Sequence, residues 1–134
     1  MPNTQAVGVA YSDPEFTTCY ASQEIGYSAA AQGTVTQATS KSTAVTLNKS
    51  AGRITMNAAE LAANTAVSFT INNSLISAND VLIVCISGGA TAAAYTTYIS
   101  SMTSGSAVVT LRNLTASPLS EAVIINFSTI HSAS

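Results

Sequence analysis

From Gly33 onward the chain breaks into short runs in which apolar and polar residues alternate, separated by clusters of Gly, Asn, Ser and Asp. Successive side chains on a strand point to opposite faces, so runs of this kind bury one face and wet the other only as β-strands. The clearest case is 66–72, where Val67, Phe69 and Ile71 share one side and Ser68, Thr70 and Asn72 the other. Val45 with Leu47, Ile54 with Met56, and Val123, Ile125 and Phe127 repeat the pattern. Strands are predicted over 34–38, 43–47, 53–56, 66–72, 81–87, 95–100, 106–114 and 122–130. Short strands at this spacing define an all-β domain, an antiparallel β-sandwich or jelly roll of about seven to eight strands rather than a closed barrel.

Two segments depart from the alternation. The run Val81-Leu82-Ile83-Val84-Cys85-Ile86 is apolar on both faces, which predicts a strand covered on both sides. In a thin two-sheet domain the second cover is another subunit, so Val81, Ile83, Val84 and Ile86 are candidate core and oligomer residues. In Asn57-Ala58-Ala59-Glu60-Leu61-Ala62-Ala63, Asn57 stands at an N-cap position and Glu60 three residues on, the spacing of a capping box, and one short helical crossover is expected there. Turns are predicted at 48–52, 77–80, 87–89 and 103–105, with Ser87-Gly88-Gly89 read as a hairpin turn.

Residues 1–32 show neither strand alternation nor helical periodicity, yet they hold Tyr11, Phe16, Tyr20, Tyr27 and the acids Asp13, Glu15 and Glu24. The expectation is an extended N-terminal arm over 1–32 followed by a β-sandwich domain over 33–134. The alternative is that this segment supplies irregular edge strands. The Ala29-Ala30-Ala31 tract is long enough for a helical turn and no more.

The chemistry the chain can carry is limited by its side chains. Only 7% of its 134 residues are charged, with a net charge of −2, against about 25% charged in an average soluble protein. More than a quarter are Ser or Thr. Lys41, Lys49, Arg53 and Arg112 are the only Lys or Arg residues and are dispersed, which excludes the clustered basic footprint of a nucleic-acid binder. They are expected to pair with Glu60, Asp80 or Glu121, or to guard strand edges. The single His131 and the distant Cys19 and Cys85 do not make a zinc site, and His131 is expected to be an exposed tail residue. Asp13 and Glu15 are too few for a calcium loop. No cofactor, metal, small-molecule substrate or catalytic residue is expected.

No apolar stretch reaches the length of a membrane helix. The first ten residues carry neither Lys nor Arg nor a hydrophobic core long enough for a secretory signal. Four Asn-x-Ser/Thr matches, at Asn48, Asn72, Asn113 and Asn126, are what chance gives in a chain of this composition. With so little charge and so many small faces, the domain is expected to cover its surfaces by homo-oligomerisation, most simply as a trimer.

The run Gly33 to Asn48, GTVTQATSKSTAVTLN, followed by Gly52-Arg53-Ile54-Thr55-Met56 and by Leu61 to Thr70, LAANTAVSFT, resembles a small β-domain found among tailed-phage virion proteins. The resemblance continues through Asp80-Val81-Leu82-Ile83-Val84, Ser87-Gly88-Gly89, Arg112-Asn113-Leu114-Thr115 and Ser120-Glu121-Ala122 to Ile125-Asn126-Phe127. It covers about residues 33–134 and leaves out the arm. It implies a non-enzymatic virion component at the capsid surface, made in the host cytoplasm. The decoration (cement) reading makes the major capsid protein the partner of Tyr11, Phe16, Tyr20 and Tyr27. The alternative is a tail- or head-fibre domain that binds a host surface receptor, for which Tyr95 and Tyr98 are the candidate contacts. Those two residues are separated by an odd number and cannot share one face of a regular strand.

Overall fold

The computed structural model describes residues 15–132, so Tyr11 and Asp13 lie outside the described residues. The domain is all-β. Eight strands follow a single 3₁₀ turn, Ala29–Ala31: β1 Gln32–Thr36, β2 Val45–Thr46, β3 Ala51–Thr55, β4 Ala66–Asn72, β5 Val81–Gly88, β6 Tyr95–Thr103, β7 Ser106–Asn113 and β8 Ile124–Ile130. They form two four-stranded sheets, β1-β3-β8-β5 and β2-β4-β7-β6.

The chain changes sheet at every step from β1 to β6, and only β6 and β7 are joined as a hairpin, through Gly105 at φ 82°. This interleaving makes both sheets mixed. β1 runs parallel to β3 and β2 parallel to β4, while the remaining pairs are antiparallel. The parallel pairs depart from the wholly antiparallel sandwich that the alternation suggested, because alternation reports which face is buried and carries no information about strand direction.

Ile54, Phe69, Ile71, Leu82, Val109, Leu111, Val123, Ile125 and Phe127 fill the space between the sheets, with Met56 and Leu61 at one end. Burying a side chain of this size contributes about 1.5–3 kcal/mol, which makes this layer the main source of cohesion. Ser87-Gly88-Gly89 is not a hairpin. Gly88 ends β5, and Gly89, at φ 65°, packs against the backbone of Ala122 and carries the chain over to the other sheet.

No helix forms over 57–63. The Asn57 side chain accepts the Ala59 N–H at 2.8 Å, closing a local turn. Leu61 instead bridges Leu119 through a reciprocal pair of backbone bonds at 2.8 and 3.0 Å. A side chain that satisfies the backbone two residues on competes directly with helix nucleation, and here the tertiary bridge decides the outcome.

Candidate functional site

β5 is an edge strand, and its side chains alternate between core and solvent. Leu82 is buried, whereas Val81 and Ile83 are 53% and 51% exposed and Cys85 is exposed. Val84 and Ile86 are partly buried against the core. Within this chain the run 81–86 is therefore covered on one face only. The outer face stays open because Val81, Ile83 and Cys85 stand opposite Ile130, Ser128 and Asn126 of β8, and those residues face outward as well. Ile130 is 55% exposed and extends the apolar strip begun by Val81 and Ile83.

Beside this strip the same face carries an open groove of about 950 Å³. Its floor is the outer surface of β1, β3 and β8, with Thr34, Arg53, Asn126 and Ser128 among the lining side chains, and Ile25, Gly26 and Tyr27 form a wall. Three hydrogen bonds hold that wall. The Tyr27 hydroxyl donates to the Thr129 carbonyl, Gln32 Nε2 donates to the Tyr27 carbonyl at 3.3 Å, and Lys49 Nζ donates to the Ala30 carbonyl at 3.0 Å.

Among the described residues N-terminal to this root, nothing is buried. Every residue from Glu15 to Ala30 is exposed, including Phe16 at 57%, Tyr20 at 92% and Ile25 at 86%. The predicted arm residues Phe16 and Tyr20 thus lie free of the sandwich, while Tyr27 belongs to the arm's root. Apolar surface of this size left in water is the usual mark of an interaction segment.

Arg53 sits in the groove with one side-chain partner, Asn126, whose Oδ1 accepts from Nε at 3.2 Å. Ser87 donates to the same oxygen at 3.1 Å. None of the groove-lining residues is acidic. At the end of the groove His131 Nδ1 lies 2.7 Å from Asp80 Oδ1. Asp80 is enclosed and accepts from the Ser77 N–H at 2.8 Å, the Ser77 hydroxyl at 2.8 Å and the Ser132 N–H at 2.9 Å. The Ser77 backbone bond is the chief reason its carboxyl is held down at about 2. His131, exposed as expected, is thus also tied to the start of β5.

At the opposite end of the sandwich Lys41 is buried rather than placed on an edge. Its ammonium donates to the backbone carbonyls of Asn57 and Glu121. Burial lowers its pKa, and the Glu121 charge acts in the opposite sense. Gln37, also buried, bonds the carbonyls of Lys41 and Thr43 and accepts the Asn57 N–H. Glu121 accepts from the hydroxyl and N–H of Thr91, which keeps its pKa low. This knot pins three loops together and leaves its side chains committed to backbone groups.

Tyr95 is part of the core, at 8% exposure, with its enclosed hydroxyl beside the Glu121 carboxylate. Burial first, then the neighbouring Glu121 carboxylate, raises its pKa far above the usual tyrosine value. Tyr98 points the other way and is 49% exposed. It stands opposite Thr110 on the outer face of β2-β4-β7-β6, where Ser68 and Ser100 hydroxyls meet the Thr110 hydroxyl. The two tyrosines therefore do not form one contact site.

Asn113 is fully buried and bonds Leu61, Ala62, Ser117 and Thr115, so it is a loop anchor with no room for a glycan. None of Arg53, Asn126, Cys85 and Ile130 was read from the sequence as a contact residue: Arg53 stood among the dispersed cations, Cys85 in the apolar run and Asn126 among the Asn-x-Ser/Thr matches. The inward parity of Val123, Ile125 and Phe127 already implied that Asn126 and Ile130 face outward, but the pairing that sets Arg53 and Cys85 on either side of Asn126 is a matter of register and is not visible in alternation. Among the described residues no three His, Cys, Asp or Glu side chains converge as a metal site, and no helix is long and apolar enough to cross a membrane. No family model, characterised protein or solved structure is significantly similar to the chain.

Proposed function

We propose that this chain is a non-enzymatic structural protein of a tailed-phage virion, a decoration (cement) protein of the capsid surface. In this reading the β-sandwich is an oligomeric knob, and the N-terminal arm crosses onto the major capsid protein and braces the shell. The observation that carries it is the arm itself: sixteen consecutive exposed residues from Glu15 to Ala30, with Phe16, Tyr20 and Ile25 in water and, among the described residues, hydrogen bonds to the sandwich only at the root. The outer face of β5 supplies a second uncovered apolar surface, suited to contact between copies.

The reading is tested by labelling source particles with gold-conjugated antibody against the folded domain and by measuring particle binding of a chain lacking residues 1–26, which keeps the Tyr27 root. Dense label over the head and loss of binding on truncation support it. Normal binding by the truncated chain refutes the role of the arm, and unlabelled particles refute the virion assignment. One observation favours a fibre domain instead: Tyr98 projects half-exposed from a hydroxyl-rich sheet face of the kind that stacks against sugars. Label confined to a tail tip or to sparse spikes would select that alternative.

A further inference from the structure

We propose that residues 15–20 of one copy, Glu15-Phe16-Thr17-Thr18-Cys19-Tyr20, lie in the groove on the β1-β3-β8-β5 sheet of a second copy, with Glu15 against Arg53 and Cys19 at the Ile130 end. Among the described residues, the groove is not filled by its own arm. That arm builds one wall with Ile25 and Tyr27 and then leaves, with Tyr20 92% exposed.

Charge selects the occupant. Among the described residues the groove offers the Arg53 guanidinium, held only through Nε by a neutral Asn126, and no carboxylate lines it. The sequence before Lys41 contains acids and no Lys or Arg at all. Glu15 therefore meets an unneutralised cation in an acid-free groove, and complementary charge of this kind fixes orientation as well as affinity.

Length and pattern agree with the same placement. Arg53 pairs with Asn126, and Ile130 lies four residues farther along β8, which by strand rise and spacing sets Arg53 and Ile130 about 14 Å apart. From Glu15 to Cys19 an extended chain covers roughly 13 Å. The segment is built from strand-favouring residues, and an extended conformation with Glu15 toward Arg53 also turns Thr17 and Cys19 toward the sheet, with Phe16, Thr18 and Tyr20 on the other side. The contact joins two different surfaces, arm and groove, so it propagates head to tail and is satisfied at every copy only when a ring closes. Phe16 and Tyr20, on the other side of the segment, are then left for the shell protein, as the proposed function requires.

The test uses the full chain alone in solution. The wild type, Glu15→Arg, Arg53→Glu and the double reversal are compared by light scattering across a dilution series, with circular dichroism to show that each is folded. The expected result is an oligomer for the wild type, a shift of its dissociation midpoint by tenfold or more for each single reversal, and recovery in the double reversal. As a second readout, a bis-maleimide spanning about 13 Å, the extended distance from Glu15 to Cys19, should link Cys19 of one copy to Cys85 of the next. The linked species should vanish with either Cys19→Ala or Cys85→Ala. A monomeric wild type at 100 µM, a folded single reversal with unchanged assembly, or a double reversal that stays dissociated overturns the proposal. None of these outcomes bears on particle labelling, so the virion reading stands or falls separately.

Discussion

Leu82 and Ile83 are adjacent, similar in size and one bond apart on the same edge strand, yet replacing each by Asp is expected to have opposite consequences. Leu82 is 6% exposed, in the layer between the sheets. Leu82→Asp loses about 2–3 kcal/mol of side-chain burial and also places a carboxylate where it must either stay charged without a partner or take up a proton, a further cost of several kcal/mol. The total reaches the whole stability of an ordinary domain, about 5–15 kcal/mol. Ile83 is 51% exposed, so Ile83→Asp gives up about half of one burial, roughly 1 kcal/mol. The lower strand preference of Asp adds up to about 1 kcal/mol. For a chain of this length that lowers Tm by roughly 8 °C. Thermal melts followed by circular dichroism at low micromolar concentration should show a cooperative transition for Ile83→Asp and none for Leu82→Asp. If Ile83→Asp is unfolded at concentrations where the wild type is monomeric, the one-sided burial of β5 is wrong. If it is folded, its mass at high concentration reports whether the apolar strip of Val81, Ile83 and Ile130 lies between copies.

Three further outcomes follow from positions that hold loops and ends together. Gly89→Ala should cost at least about 2 kcal/mol, since a left-handed residue with a side chain costs roughly 1–2 kcal/mol by itself and the new methyl would press into the Ala122 carbonyl, whereas at Gly105 no atom stands within 4 Å; urea midpoints that rank Gly105→Ala as the worse variant would refute this. Asn113→Ala should cost about 3 kcal/mol, because it strips buried partners from three carbonyls and from the Thr115 N–H and hydroxyl, and a loss under 1 kcal/mol in urea unfolding would contradict the anchor role. Asp80 has its folded pKa lowered from 3.8 to about 2, so its contribution is complete above pH 4 and is lost as pH falls from about 4 to about 2; the Tm advantage of wild type over Asp80→Asn should shrink between pH 5 and pH 2.5, and a constant difference would show that the Ser77 and Ser132 bonds do not act through the charged form.

The strands were legible where one side of the chain had to stay dry. In 66–72 the alternation gives β4 with both of its ends, because Phe69 and Ile71 are buried and their neighbours are not. β5 was located for the same reason, and the second cover expected for its outer face is not supplied within the chain. An apolar run identifies a strand without saying what lies over it, and here Val81, Ile83 and Cys85 meet water. Segment 57–63 carried a helix-start signal that lost to the bridge between Leu61 and Leu119, a contact between residues far apart in sequence that no local window contains. Lys41 was misplaced for a related reason. Its burial depends on carbonyls from Asn57 and Glu121 arriving together, and nothing adjacent to it in the chain announces that.

The groove belongs to this second class of feature. Arg53, Asn126 and Cys85 become neighbours because β8 lies between β3 and β5, with Asn126 facing Arg53 on one side and Cys85 on the other. One residue of register slip in β8 would turn Asn126 and Ile130 into the core and Ile125 and Phe127 out of it, so the hydrophobic layer that stabilises the sandwich also fixes the spacing of the surface residues above it. A binding face of this kind has no motif in the sequence. Its geometry is inherited from the core beneath it, while its chemistry, a lone guanidinium beside an apolar strip, comes from outward positions that folding leaves free to vary. The arm has the converse property: residues 15–20 carry their chemistry openly in the sequence, an acid followed by two aromatics four residues apart, and bury none of it against their own domain. Surface without a covering segment and a segment without a surface, in one weakly charged chain, make assembly through the arm the simplest way for both to leave water.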